Sequence, residues 1–75
     1  MTLKALRKGV NQMRVTLKAA RINKGLTQED VAKALNVTKK TVGSWEMGKT
    51  MPKIDKIEHL CQLFGCSYDD IAWNV

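Results

Sequence analysis

The chain has 75 residues, thirteen Lys and Arg against seven Asp and Glu, a net charge of +6, 44% hydrophobic residues, and aromatic residues numbering only two Trp, one Tyr and one Phe. That length holds one domain with a small core, burying about 60% of its unfolded surface, and the composition excludes a large catalytic cleft, a collagenous repeat and a highly charged disordered chain. No apolar run reaches the roughly 18 residues of a membrane span, and the basic N-terminus lacks the apolar stretch and cleavage site of a secretory signal.

The charge is uneven. All thirteen basic residues lie between Lys4 and Lys56, beside Glu29, Asp30, Glu46 and Asp55, whereas residues 57–75 hold Glu58, Asp69 and Asp70 and no Lys or Arg. A basic portion joined to an acidic end suggests a polyanionic partner, nucleic acid first and an anionic membrane surface second; charge alone does not separate them. Two cysteines make no disulfide framework and, without a signal, point to a reducing cytoplasm. Cys61 reads as a small core residue. His59, Cys61 and Cys66 lack the four-ligand spacing of structural zinc, so no metal is expected.

In chain order, Leu3, Leu6, Val10, Met13, Leu17 and Ala20 recur at spacings of three and four. This predicts helix over much of residues 2–12, though Gly9 costs it about 1 kcal/mol relative to Ala. The alternative is a mobile basic arm carrying Lys4, Arg7, Lys8 and Arg14. The stripe is too short for a stable coiled coil. A helix over about 15–24 turns Leu17, Ala20 and Arg21 inward. Gly25 stops it, and Thr27-Gln28-Glu29-Asp30 opens the next with a cap residue and an acid three positions on. Val31, Ala32 and Leu35 then share one face. Asn36-Val37-Thr38 breaks that helix, and Thr38 caps a third over 39–47. Beyond a loop, Pro52 suits the first position of a fourth helix, whose Ile54, Ile57, Leu60, Cys61 and Phe64 form a buried stripe. Gly65 ends it. Ser67-Tyr68-Asp69-Asp70 is a further cap pattern and opens a short fifth helix through Ile71 towards Trp73. The expectation is an all-α, five-helix domain over residues 15–75 behind an extension at 1–14, with no convincing strand.

Residues 28–47 form a helix, a turn of about three residues and a second helix, a helix-turn-helix. The first must bury Val31, Ala32 and Leu35, the second Val42 and Trp45. At 100° per residue from Lys39, Val42 and Trp45 centre near about 270°, and Lys40, Gly43, Ser44 and Met47 occupy the opposite side. That side is small, basic and polar. A helix entering a major groove about 12 Å wide needs such a surface, with long donors near its N-terminal end. Gly43 has no side chain to hold the helix away from a base edge. The competing reading is a tolerated glycine beside a solvated lysine pair.

Residues 17–21, Gly25-Leu26-Thr27-Gln28, Val31-Ala32, Leu35, Val37-Thr38, Val42, Trp45-Glu46, Gly48-Lys49, Pro52, Leu60, Phe64 and Ile71 together carry a resemblance. With them, residues 17–73 are similar to the Cro and repressor type of helix-turn-helix domain (lambda-repressor-like, XRE-like) of temperate phages and bacterial regulators. The pattern is specific for the domain and unspecific for its target.

The resemblance implies a sequence-specific double-stranded DNA-binding transcriptional regulator: a small Cro-like phage or prophage repressor, bound as a homodimer to a pseudo-palindromic operator. It implies no cofactor and no small-molecule ligand. Lys39, Lys40, Thr41, Gly43 and Ser44 fall at base-reading positions, and Thr27, Gln28, Thr38 and Lys49 at phosphate-binding positions. Arg21 and Glu46 resemble a partly buried, structural ion pair. Met47 departs from the polar residue often found there. A dimer would form through Ile71, Trp73 and Val75, the acidic last helix, or the N-terminal stripe. The alternative function is a protein-binding adaptor or antitoxin on the same fold. No nucleophile–base constellation or glycine-rich phosphate loop supports an enzyme, and no large exposed apolar face opposite the basic residues supports membrane binding.

Overall fold

The structure, a computed structural model, describes residues 14–73. The helix expected over much of residues 2–12, the basic arm that is its alternative, and Val75 lie outside the described residues. A short strand β1 (Val15–Thr16) leads into helices α1 (Leu17–Asn23), α2 (Gln28–Leu35), α3 (Lys39–Glu46) and α4 (Ile54–Phe64), followed by a 3-10 turn (Tyr68–Asp70) and a strand β2 (Ile71–Ala72). The described residues are therefore mostly helical, with four α-helices rather than five, and they include a parallel strand pair that the sequence pattern does not announce.

The departures arise at the two ends of the described residues. Thr16 caps α1, its Oγ1 accepting from the Ala19 N–H at 3.0 Å. The helix thus starts at Leu17, and the β-branched pair Val15-Thr16 stays extended, aligned with Ile71 and Ala72 respectively. At the other end, the Asp70 carboxylate accepts from Ser67 N–H at 2.9 Å and Ser67 Oγ at 3.1 Å, which supports one 3-10 turn. Ile71 then turns extended at φ −117° and ψ 137°. A helix would send Ile71 and Trp73 to nearly opposite sides, whereas a strand puts residues i and i+2 on one face. Extended, Ile71 is wholly buried and Trp73 nearly so. The Trp73 indole N–H donates to the Tyr68 carbonyl at 2.9 Å, and the two rings stack with centroids 5.6 Å apart. Ile71 and Trp73 are thus part of this chain's own core and not a free surface for self-association.

The core gathers Val31, Leu35, Val42, Leu60 and Ile71, each almost fully enclosed. The Thr27 box forms as expected: Thr27 Oγ1 accepts from Asp30 N–H at 3.0 Å, and Asp30 Oδ2 accepts from Thr27 N–H at 2.9 Å. α2 ends at Asn36, in the left-handed region at φ 59° and ψ 45°. Lys56 Nζ reaches from α4 to the Leu35 carbonyl at 3.1 Å and so ties α4 to the end of α2. Pro52 is not the first residue of α4. Lys53 occupies the cap position; Pro52 before it and Ile57 stand at the two positions of a hydrophobic staple, and both are buried. Ile54, expected in the buried stripe, is 69% exposed, because it lies about 80° from the line of Ile57, Leu60 and Phe64. Cys61 is half-buried against the core. No helix among the described residues is long and apolar enough to cross a membrane.

Truncating Ile71 to Ala is expected to cost about 2–5 kcal/mol, as for other enclosed aliphatics. Ile54→Ala should stay within about 0.5 kcal/mol. Urea denaturation of the two variants checks the pair, and equal losses would contradict the inward placement of Ile71.

Candidate nucleic-acid interface

The turn between α2 and α3 lets both helices share one core, and the apolar residues of α3 set its rotation. Val42 and Trp45 are buried against that core. Lys39 and Lys40 are exposed on the outer side, with Gly43 and Ser44 half-buried between them and the C-terminal end. Gln28, Lys39, Lys40, Gly43, Ser44, Met47 and Lys49 line one open groove. Five residues singled out by base- or phosphate-contact reasoning from α2 and α3 therefore meet in one place, joined by Lys49 from the following loop. Met47 caps α3 rather than extending it and is 64% exposed.

The three threonines have local bonds. Thr27 Oγ1 is used by the α2 box, and the Thr27 N–H is taken by Asp30. The N–H groups of Gln28 and Glu29 thus remain at the helix end, where an anion is favoured. Thr38 Oγ1 accepts from Thr41 N–H at 3.1 Å and lies 2.8 Å from Thr41 Oγ1. The Thr41 hydroxyl is therefore engaged with the cap, and Thr41 itself is half-buried. The bonds that Asp30 accepts from the Thr27 backbone and side chain hold its carboxyl below the usual value of 3.8, so this acid stays charged at the positive end of α2.

Gly48, at φ 74°, turns the chain out of α3. Lys49 N–H then donates to the Ser44 carbonyl at 3.0 Å, which returns Lys49 to the groove. Thr50 Oγ1 donates to Ser44 Oγ at 3.1 Å. Sequence reasoning did not single out Thr50: the contact crosses a loop, where no helical period relates the two positions.

Behind the groove, Arg21 and Glu46 join α1 to α3. Arg21 Nε donates to Glu46 Oε2 at 2.6 Å and Nη2 to Oε1 at 3.3 Å. Arg21 Nη1 also donates to the Leu26 carbonyl at 2.9 Å. The two side chains are 11% and 5% exposed. Gln28 Nε2 donates to Glu46 Oε1 at 3.0 Å, so the pair touches a residue of the groove.

On the far side, burial, followed by the neighbouring Cys61 and Asp70 charges, pushes the Cys66 thiol up to about 11. Burial likewise raises Cys61. The described residues contain no cluster of three or more His, Cys, Asp or Glu suited to a metal ion.

A helix-turn-helix family model matches residues 17–71 of the chain. The chain belongs to the helix-turn-helix family. It is similar to the HTH-type transcriptional activator BcrR of Enterococcus faecalis, 31% identical over 55 residues, which are 73% of this chain and 27% of that protein. It is also similar to an uncharacterized HTH-type transcriptional regulator of Methanocaldococcus jannaschii, 37% identical over 59 residues, 79% of this chain and 89% of that one. The chain thus spans about a quarter of the length of the first relative and most of the second. No solved structure matches it.

Within this helix-turn-helix unit, Gly43 has no packing reason to be glycine. A methyl group there would meet only the Gln28 amide, at 3.8 and 3.9 Å, an ordinary contact. Glycine inside a helix costs about 0.5–1 kcal/mol relative to alanine. Gly43→Ala is therefore expected to raise stability by about that amount in urea denaturation. A loss of stability would mean that folding, not an outside partner, requires the glycine.

Proposed function

We propose that this chain is a sequence-specific regulator of transcription that binds double-stranded DNA. In its specific form it is a small Cro-like phage or prophage repressor, seated as a dimer on a pseudo-palindromic operator. The observation that carries the reading is the division of α3: Val42 and Trp45 are buried on one side, while Lys40, Gly43 and Ser44 line an open groove on the other. That face is thin enough for a major groove and carries its long donors at the N-terminal end.

In this reading Lys39, Lys40, Gly43 and Ser44 meet base edges, and Thr41, outside the groove lining with its hydroxyl bonded to Thr38, joins them only by giving up that bond. Gln28, Lys49 and the capping residues Thr27 and Thr38 meet phosphates, which position the domain and carry no sequence information. Two copies would place their recognition helices about 34 Å apart on successive turns of the duplex. A protein-binding adaptor or antitoxin, the alternative, requires no such face. The Enterococcus relative bears the name activator, so a reporter gene behind the bound sequence decides the sign of regulation.

Selecting duplexes from a random pool and titrating them at several salt concentrations tests the proposal. A single enriched sequence and a steep salt dependence are expected, and salt-insensitive binding with no enrichment would favour the adaptor. Lys40→Ala should cost about 1–3 kcal/mol on the selected site and relax preference at one or two base pairs; equal losses on selected and random duplexes would reassign Lys40 to phosphate. Lys49→Ala should weaken all duplexes alike and shallow the slope of log K against log salt by about one. An unchanged slope would remove Lys49 from the phosphate contacts.

A further inference from the structure

Glutamine side chains on a surface ordinarily sample many rotamers, and either end of the amide can face a given partner. At Gln28 both freedoms are removed. A carboxylate only accepts hydrogen bonds, so the amide group facing Glu46 must be the NH2. The bond from Gln28 Nε2 to Glu46 Oε1 is 3.0 Å long. Glu46 in turn is held by two Arg21 nitrogens, at 2.6 and 3.3 Å, and Arg21 is anchored on the Leu26 carbonyl. Both amide atoms of Gln28 lie just under 4 Å from where a Gly43 side chain would begin. The amide thus lies beside Gly43, in the groove that both residues line.

We infer that Arg21 and Glu46 are positioning residues for nucleic-acid binding, acting through Gln28, in addition to bracing α1 against α3. This rests on the duplex-binding reading above and names how one contact in it is set. The pair does two things. It holds the Gln28 amide in one rotamer and one orientation before a duplex arrives, so binding does not have to order it. Arg21 also offsets the negative charge of Glu46, an enclosed carboxylate that lies one hydrogen bond behind the groove-lining Gln28. A brace alone would account for the Arg21–Glu46 contact but not for Gln28 Nε2, which reaches the carboxylate from the groove side.

The test uses the whole chain and four proteins: wild type, Gln28→Ala, the paired replacement Arg21→Met with Glu46→Met, and all three changes together. Replacing both members of a buried ion pair by apolar residues of similar size generally preserves folding. Affinity for a selected duplex is measured well below each melting temperature and referred to the folded fraction. The paired replacement should weaken binding about three- to tenfold, and in the Gln28→Ala background it should cost nothing further. A purely structural pair would leave affinity unchanged once folding is accounted for, and that result, or additive losses, overturns the role.

Should the paired replacement not fold, the side-chain amide signals of wild-type Gln28 in heteronuclear NMR decide. One Nε2 proton shifted downfield, slow to exchange, and perturbed by duplex supports the inference. Signals like those of the exposed Gln62 overturn it. A wild-type chain that binds no duplex sinks the underlying reading itself, whereas binding with additive losses sinks the positioning role alone.

Discussion

The rotation of α3 about its own axis is the quantity on which the candidate interface turns. Burial of Val42 and Trp45 sets it. Each enclosed side chain of this kind contributes roughly 1.5–3 kcal/mol, more than any polar contact on the outer face. Exposing Trp45 by turning the helix half a revolution would lose that burial and enclose Lys40, whose charge has no partner inside. The Arg21–Glu46 pair refines the setting. Its net worth is small because two charges leave water to form it, but it fails badly if one member is removed. Apolar burial therefore chooses which side of α3 faces in, and the ion pair makes neighbouring rotations costly.

The outer face departs from the local rules that govern the rest of the fold. Elsewhere most caps, turns and apolar stripes agree with the structure they adopt, as natural sequences generally do, the exposed Ile54 and the uncapped start of α4 excepted. On α3 a glycine sits in mid-helix with room beside it for a methyl group, and two lysines stand side by side at its start with no acid in the first turn. Both choices weaken an isolated helix. They are intelligible where a polyanion supplies the missing negative charge and the missing contact area.

Which features could be read in advance follows the range of the interaction. The Thr27–Asp30 box and the Thr38 cap involve residues three apart, so the pattern and the bond are nearly the same fact. The stripes of Val31, Ala32 and Leu35, and of Val42 and Trp45, follow from helical period alone. Ile54 and Ile71 escape that reading because their places depend on neighbours remote in sequence, whereas Pro52 differs by a local choice of cap, Lys53. Ile54 obeys the period of α4 but falls outside the arc the other helices cover. Ile71 follows a good helix start, yet a second turn would separate it from Trp73, and joint burial of the two outweighs continuation of the helix.

The candidate groove divides along the same line. Lys39, Lys40, Gly43 and Ser44 share a face by virtue of helical geometry, which one segment carries within itself. Thr50 on Ser44, Lys49 beside it, and above all Gln28 on Glu46 join residues whose distance is set by packing of separate elements. Order along the chain determined the four α-helices, the Thr27 and Thr38 caps and the outward side of α3. Only assembly of α1, α2 and α3 around a common core decided that Glu46 of the third helix, paired with Arg21 of the first, accepts from Gln28 of the second, because a hydrogen bond across 18 positions has no local signature and exists only once the intervening apolar surfaces have closed.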